Sequence, residues 1–328
     1  MDELLSSLKA AAESTRIRIM FILAHGELNV SELTYILKQS QPRVSRHLKL
    51  MSEAGLLSRH KEGNWVLFRL RGEGLGGALA RALVDMLSIK DSLLSGDLAR
   101  LEEVKRLRDE RAAAYFSSNA ASWSELRSLH VDEDSVEQAM RSLVGQGAVG
   151  TLVDLGTGTG RVLEVFASQF KHLHGIDSSR DMLAIARATL EKRGLQNAAL
   201  RQADVYALPL ADATADLVTI HQVLHFLDEP QKALFEARRI LKPYGKLLVV
   251  DFAPHDLEEL RNDHAHRRLG ISAEQMVAWF GRANLVLEKH DVLDPPWLKD
   301  RKGLTVSIWL AKPAHSPAPH SSKSKALT

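Results

Sequence analysis

The sequence predicts an α/β protein built from two folded parts. Its 328 residues exceed the usual size of one domain, and 45% hydrophobic with 26% charged residues is typical of a globular chain. Residues 1–72 predict short helices followed by two strands. From about residue 112 onwards, short apolar runs alternate with helical segments. Such alternation indicates a parallel sheet with crossover helices.

Charge and composition narrow the possible functions. Residues 1–72 hold eleven Lys and Arg against seven Asp and Glu, a net charge of +4, whereas the remaining 32 basic and 34 acidic residues give −2. A small basic module is a mild indication of a polyanionic partner.

The absence of cysteine excludes disulfides, thiolate metal sites and cysteine nucleophiles. No run of about 18 apolar residues predicts a membrane span. Since the first residues, MDELLSSLKAAAEST, lack an apolar signal core, we expect a cytoplasmic protein.

The first module is predicted to be a winged helix-turn-helix. An apolar helical stripe is followed by a short helix, Glu32–Lys38, which Ser31 can cap. Ser40 can cap the next helix, which ends at Gly55, and two strands, Leu56–His60 and Trp65–Leu70, then form a hairpin.

The helix that Ser40 can cap is the predicted DNA-reading element. A helix fits the major groove, and polar side chains near its N-terminus can contact base edges and phosphates. Val44, Leu48 and Met51 are expected to face inward. The candidate DNA contacts are Ser40, Gln41, Arg43, Ser45 and Arg46 on the helix, with Arg59, His60, Lys61 and Asn64 on the wing.

This module resembles the ArsR family through STRIRIMFIL, SQPRVSRHLKLMSEAGLL and RHKEGNWVLFRL, which span about 70 residues. The resemblance implies a homodimer that binds double-stranded operator DNA at two half-sites and usually represses. Many members sense metals through cysteines before the recognition helix, but Asn29 and Ser31 stand there, so no metal is expected. The alternative is a module retained only for protein interaction or dimerisation.

Residues 73–111 are predicted to link the two parts. Gly72, Gly74, Gly76 and Gly77 suggest a hinge, followed by an apolar helix over 78–94 that could pack a dimer. A break at Ser95-Gly96 then precedes a charged helix capped by Asp97. The predicted organisation is therefore a DNA-binding domain over 1–72, this linker, a second domain over 112–312 and a disordered tail over 313–328.

The second domain has the features of a nucleotide-cofactor site. Strand 151–155 runs directly into a turn containing Gly156, Gly158 and Gly160, which allows close approach of a ligand to the backbone. Arg161 stands where a dinucleotide fingerprint has its third glycine. Asp154 suits an amino group better than a pyrophosphate, so S-adenosylmethionine (SAM) is the predicted cofactor.

Residues at the ends of the next predicted strands also fit SAM as the ligand. Asp177 ends the second strand, where a carboxylate can accept hydrogen bonds from both ribose hydroxyls. Met182 can pack on adenine, and Asp204 is placed for the adenine amino group. The remaining candidate cofactor contacts are Ser178, Val205 and His221.

Residues 112–312 resemble class I SAM-dependent methyltransferases of the UbiE-like group. The matching segments are VDLGTGTG, GIDSSRDML, ADVYALPLADATADLV, HQVLHFLDEP and RILKPYGKLLVVDF. The resemblance implies a Rossmann-like sheet of strand order 3-2-1-4-5-7-6 with an antiparallel seventh strand. The family often builds its substrate pocket after the fifth strand, where His255, His264 and His266 lie.

The sequence leaves the chemistry open. His221 and His225 are the candidate catalytic residues, with Gln222 beside them and with Tyr115, Asn119 and Trp123 as a candidate lid. The leading hypothesis is an ArsR-type transcriptional regulator that binds SAM or S-adenosylhomocysteine and methylates a small molecule. The alternatives are a small-molecule methyltransferase that regulates itself, and one whose DNA-binding domain is vestigial. The methyl acceptor, the operator, the sign of regulation and the controlling ligand are not encoded in any motif.

Overall fold

The computed structural model describes residues 1–62, 65–72, 74–120, 132–145, 150–195, 197–294, 297–298 and 301–314. The chain divides into two compact units. Unit 1 comprises residues 1–121, 225–230 and 254–270, and unit 2 comprises residues 122–224, 231–253 and 271–328. The domain boundaries inferred from the sequence stay predictions.

Unit 1 contains a helical core and a three-stranded sheet. Its helices are α1 (Asp2–Ala11), α2 (Ser14–Leu23), α3 (Val30–Leu37), α4 (Gln41–Glu53), α5 (Gly74–Asp85) and α6 (Ser92–Asn119). The strands are β1 (Leu28–Asn29), β2 (Leu57–Glu62) and β3 (Trp65–Leu70), which pair antiparallel in the order β1-β3-β2.

The helix-turn-helix is formed by α3 and α4. Ser31 was expected to cap the first of these helices, but the cap is Asn29, whose side chain accepts from the Glu32 amide at 3.0 Å. Glu32 completes a capping box by accepting from the Asn29 amide at 3.0 Å. Val44, Leu48 and Met51 of α4 are buried in the core of unit 1, as predicted from their spacing.

Three of the four glycines predicted in a hinge, Gly74, Gly76 and Gly77, lie in α5 instead. A Cβ atom at Gly76 would stand 2.4 Å from the Gly55 carbonyl oxygen, and one at Gly77 would stand 2.3 Å from the Arg71 carbonyl oxygen. Glycine is therefore required because the helix packs directly against backbone.

Helix α6 is continuous through the expected break at Ser95-Gly96. Its N-cap is Asp91, which accepts from the Leu93 amide at 2.8 Å. Asp97, predicted as the cap, is instead fully buried. It accepts two hydrogen bonds from Arg18 at 2.6 and 2.7 Å, and a further one from Arg100.

Unit 2 contains a seven-stranded sheet. Its strands are β4 (Thr151–Leu155), β5 (His172–Asp177), β6 (Ala198–Gln202), β7 (Ala215–His221), β8 (Leu241–Phe252), β9 (Leu285–Leu293) and β12 (Val306–Pro313). The order is β6-β5-β4-β7-β8-β12-β9. Renumbered along this sheet alone, it is the predicted 3-2-1-4-5-7-6. Strand β12 runs antiparallel to β8 and β9, which confirms the predicted antiparallel seventh strand.

Six further α-helices and a short pair of strands lie in the described part of the chain. The helices are α7 (Glu133–Val144), α8 (Arg161–Phe166), α9 (Arg180–Lys192), α10 (Pro230–Ile240), α11 (Glu258–Asp263, in unit 1) and α12 (Ala273–Arg282), and β10 (Trp297–Leu298) pairs with β11 (Arg301–Lys302). Pro313, the first residue of the expected tail, ends β12, and residues 315–328 lie outside the described residues.

None of the described helices combines the length and apolar character that crossing a membrane requires.

Replacing Asp97 by Ala should destabilise unit 1 severely. Two guanidinium groups would lose a buried carboxylate, and breaking a buried ion pair costs about 3–5 kcal/mol. Asp91→Ala is the matched control, because loss of an exposed N-cap costs only about 0.5–2 kcal/mol. Urea denaturation followed by circular dichroism compares the two variants. An equal loss in both would contradict the structural role assigned to Asp97.

Candidate functional site

The glycine turn of unit 2 has a left-handed backbone conformation that leaves room for a ligand to approach it. Gly156, Gly158 and Gly160 have φ angles of +71°, +53° and +84°, which residues with a Cβ rarely adopt. A Cβ atom at Gly156 would stand 2.4 Å from Val223 Cγ2, so the turn after β4 packs against the segment after β7. The turn therefore lies where the strand order reverses, which is the usual ligand-binding edge of an open α/β sheet.

Asp177 is held rigidly at the end of β5. Its Oδ2 accepts from the Gly158 amide at 2.8 Å, and its Oδ1 accepts from the Ser179 amide at 2.8 Å. Burial raises the pKa of Asp177 above its ordinary value, and these backbone hydrogen bonds oppose the rise. A carboxylate has about four lone-pair sites, so both oxygens keep acceptor capacity for a diol. This arrangement fits the ribose of SAM.

Two buried polar atoms at neighbouring strand ends also fit a ligand. Thr157 Oγ1 follows β4 and Gln222 Nε2 follows β7, and neither has a hydrogen-bond partner within the described part of the chain. Gln222 is also held at a φ of +54°, a costly conformation that often marks functional sites. Thr157 was not among the predicted residues, although its position two residues after the end of β4 was a usable signal.

The other predicted cofactor residues are distributed around the same strand ends. Asp154 is buried in β4, where its Oδ1 accepts from Thr219 Oγ1 at 2.6 Å. Met182 is buried in the first turn of α9, whereas Ser178 and Asp204 are exposed. The remaining two are buried: Val205 follows β6, and His221 is the last residue of β7. Their contacts with SAM stay predictions.

The two candidate catalytic residues belong to different units. His221 ends β7 in unit 2, whereas His225 belongs to unit 1 and is buried. The ring centroid of His225 lies 4.1 Å from that of His266 and 4.0 Å from that of Phe226.

Tyr115 and His264 form a second pair of neighbouring side chains in unit 1. Tyr115 Oη and His264 Nδ1 are 2.7 Å apart, and burial raises the pKa of Tyr115. Asn119 bonds to the Tyr115 carbonyl, and His255 Nδ1 accepts from the Leu257 amide at 3.2 Å. Trp123 lies outside the described residues.

Helix α4 presents the predicted DNA-contacting face. The buried residues Val44, Leu48 and Met51 fix one side of the helix, so its other side is left for solvent. All five helix candidates are exposed, namely Ser40, Gln41, Arg43, Ser45 and Arg46. On the wing, Arg59 and Lys61 of β2 are exposed as well, and Asn64 lies outside the described residues.

These features define the class of protein: a winged helix-turn-helix module joined to a methyltransferase-type α/β domain. The family model of the bacterial regulatory proteins of the arsR family matches residues 13–59, and a methyltransferase domain model matches residues 153–249.

A relative and a solved structure extend this match. The arsenic resistance transcriptional regulator ArsR1 of Pseudomonas putida is 40% identical over 99 residues, which is 29% of this chain and 75% of that protein. One chain of the complex between the Haloferax volcanii Trm112 methyltransferase activator and a methyltransferase superposes with a TM-score of 0.51 at 21% identity. The superposition covers 61% of this chain and 98% of the other, and it shows the shared fold.

The chain belongs to the ArsR family of bacterial regulatory proteins and also carries a methyltransferase domain. A methyltransferase of Bacillus subtilis, YcgJ, is 30% identical over 119 residues, or 35% of this chain. The chain spans 47% of the length of YcgJ. Both resemblances found in the sequence are thereby confirmed.

Arg43→Ala and Arg46→Ala should each weaken binding to duplex DNA, because each removes a cation from the exposed face of α4. If these cations contact phosphates, the slope of log affinity against log salt falls by about one per residue. Fluorescence anisotropy over a salt series measures both effects. The control is Lys49→Ala, a cation of α4 engaged with Glu53 at 4.0 Å. Equal losses in all three variants would contradict the assigned face.

Asp177→Asn should weaken SAM binding roughly 10- to 100-fold, because hydrogen bonds to a charged group contribute about 1.5–3 kcal/mol. In the native protein, SAM affinity should fall as the pH falls through the pKa of Asp177, since the protonated carboxyl accepts fewer hydrogen bonds. Because that pKa is raised, the loss begins at a higher pH than for an ordinary Asp.

Isothermal titration calorimetry at several pH values provides the test, with the exposed Asp212→Asn as control. If Asp177→Asn kept the pH dependence of the native protein, another group would be responsible for it.

Proposed function

We propose that this protein is a DNA-binding transcriptional regulator whose second domain binds SAM or S-adenosylhomocysteine, and that the ligand controls DNA binding. The observation that carries the proposal is the rigid, partly buried carboxylate of Asp177 beside the glycine turn, in a chain that also presents an exposed basic helix α4. A sensor and an enzyme both need this cofactor site.

DNA recognition rests on α4 and the wing. Arg43 and Arg46 offer guanidinium groups that can bind guanine or phosphate in a bidentate manner. Ser40, Gln41 and Ser45 offer shorter polar groups near the same helix N-terminus, where the positive end of the helix dipole also favours phosphate.

Within the cofactor site each residue has a distinct proposed role. Asp177 accepts hydrogen bonds from the ribose hydroxyls, while Thr157 and Gln222 supply the buried hydrogen-bonding groups that lack partners in the described chain. Met182 packs on the adenine ring, and Asp204 accepts from its amino group. SAM supplies a methyl group activated by a sulfonium, which S-adenosylhomocysteine lacks. The two ligands therefore differ in charge, and such a difference can favour different states of a regulator.

A homodimer is part of the proposal. Several large apolar side chains of unit 1 are exposed on α1, on α5, in the segment between α5 and α6 and in the first turn of α6, and α1 packs against α5. Exposed apolar groups concentrated in this way favour association. They are Leu5, Leu8, Leu75, Met86, Ile89 and Leu93.

A second candidate function is methyl transfer to a small molecule. It is favoured by the cluster of ring side chains in unit 1, namely Tyr115, Phe116, His225, Phe226, His264 and His266. Such a cluster suits a flat organic acceptor, and an imidazole can take the proton that the acceptor loses. In this reaction a lone pair of the acceptor forms the bond to the methyl carbon, and the carbon–sulfur bond breaks to leave a neutral thioether.

The decisive experiment measures the affinity of the full chain for its own upstream DNA at fixed salt, with no ligand, with SAM or with S-adenosylhomocysteine. We expect one of the two ligands to change the affinity by about 5- to 150-fold, the usual range of allosteric coupling. Asp177→Asn should bind DNA normally but lose most of this response at the same ligand concentration.

Four other outcomes are informative. The same affinity under all three conditions would overturn ligand control and leave DNA binding intact. No salt-dependent binding to any duplex would overturn the regulator. Turnover of SAM with a panel of metabolites would support the enzyme, and tight SAM binding without turnover would exclude it for that panel.

A further inference from the structure

The loop after β6, residues 203–214, lies beside the proposed cofactor site and contains no helix or strand. The Ala203 amide donates to the Asp177 carbonyl at 3.0 Å, so the loop begins directly against the proposed ribose-binding residue. Asp204 follows, and its Oδ1 accepts from the Tyr206 amide at 2.9 Å. This side-chain to main-chain contact gives the Asp204 carboxylate a defined direction next to Asp177.

Main-chain groups further along this loop are held by two side chains of α10. Arg239 donates from Nη2 to the Leu208 carbonyl at 3.1 Å and from Nη1 to the Leu210 carbonyl at 2.8 Å. Glu236 Oε2 accepts from the Leu208 amide at 2.9 Å. A loop without a hydrogen-bonded ladder has many accessible conformations, and these contacts restrict it to one.

Glu236 and Arg239 also fix each other. Arg239 donates from Nη2 and Nε to the two carboxylate oxygens of Glu236 at 2.7 and 2.8 Å. The hydrogen bond from Arg239 lowers the pKa of Glu236, so this carboxylate is ionised at neutral pH. A further contact joins Arg239 Nη1 to the exposed carboxylate of Asp212 at 2.8 Å. A planar guanidinium can span these acceptors together, whereas the ammonium of a lysine is a point donor.

Apolar burial alone does not fix the direction of Asp204. Val205 and Leu208 are buried, whereas Asp204 is exposed. The hydrophobic effect is not directional, so the burial of these neighbours leaves an exposed carboxylate free to turn. The directional contacts of the loop with α10 are those of Arg239 and Glu236, and they begin four residues after Asp204.

We propose that Arg239 and Glu236 are positioning residues that make the cofactor site selective for an adenine base. By fixing the loop, they hold Asp204 where its carboxylate accepts a hydrogen bond from the exocyclic amino group of adenine. Neither residue contacts the cofactor itself. The inference rests on the proposed binding of SAM or S-adenosylhomocysteine. A site built to bind such a hydrogen-bonding group rejects an analogue that lacks it.

The test compares two ligands by isothermal titration calorimetry on the full chain. They are S-adenosylhomocysteine and S-inosylhomocysteine, which carries an oxygen in place of the adenine amino group. The native chain should bind the first about 10- to 100-fold more tightly, because the second loses a hydrogen bond to a charged group. Arg239→Gln should reduce this ratio at least about threefold, within the usual coupling of residues in one hydrogen-bond network.

Two further variants of α10 sharpen the comparison. Arg239→Lys keeps the charge but not the fork, so we expect it to lower the ratio as well, and it provides the test if Arg239→Gln does not fold. The matched control is Arg238→Gln, which changes the neighbouring arginine. Because Arg238 donates to the Asn284 carbonyl at 3.3 Å, away from the loop, its loss should leave the ratio unchanged.

A purely structural role for Arg239 gives a different result. It would weaken binding of both ligands by the same factor and leave their ratio unchanged, which would overturn the inference. In an Asp204→Asn background, Arg239→Gln should leave the remaining ratio as it is, since both changes act on one contact. A further fall of the ratio in that background would also overturn the inference.

Failure of the proposed cofactor gives a separate outcome. A native chain that binds neither ligand would overturn the cofactor site and this inference with it. A native chain that binds both ligands equally would keep the site but overturn the role of Asp204 and its positioning. If the native preference exists and persists in both Arg239 variants, only the positioning role is overturned.

Discussion

The buried carboxylate of Asp97 determines how helix α6 is held against the DNA-binding fold of unit 1. It orients two guanidinium groups, and each of them also donates to a carbonyl near the end of α3: Arg18 to Leu37 at 3.1 Å and Arg100 to Ile36 at 2.5 Å. The last carbonyls of a helix have no partner inside the helix, so these contacts complete its C-terminus. One carboxylate thus connects α2, α3 and α6.

The N-terminus of α3 depends on α6 in a similar way. Glu32 caps the helix with one carboxylate oxygen and binds Arg108 with the other. Helix α3 is therefore held at both ends by charged side chains of α6, and α4 packs against α3. Arg108 therefore bears on the recognition helix only indirectly, through α3, which packs against both α4 and α6.

The cofactor site of unit 2 depends mainly on backbone. Asp177 is fixed by two main-chain amides, and the turn that provides one of them requires left-handed glycines. Both features follow from residues adjacent to strand ends, so the sequence could predict them. Gln222 and Thr157 were harder to assign, because a missing hydrogen-bond partner is visible only once the surrounding atoms are placed.

The sequence by itself determined the element types, the strand order through the family resemblance, the inward face of α4 and the residues at the strand ends. These are local properties of periodicity, turn chemistry and position after a strand. Only the tertiary structure decided that Asp97 is a buried ion-pair centre, that Gly76 and Gly77 are close-packing positions, and that Arg239 holds the loop after β6. The physical reason is separation along the chain: Asp97 lies 79 residues from Arg18, and Arg239 lies 31 residues from Leu208, so no local pattern records either contact.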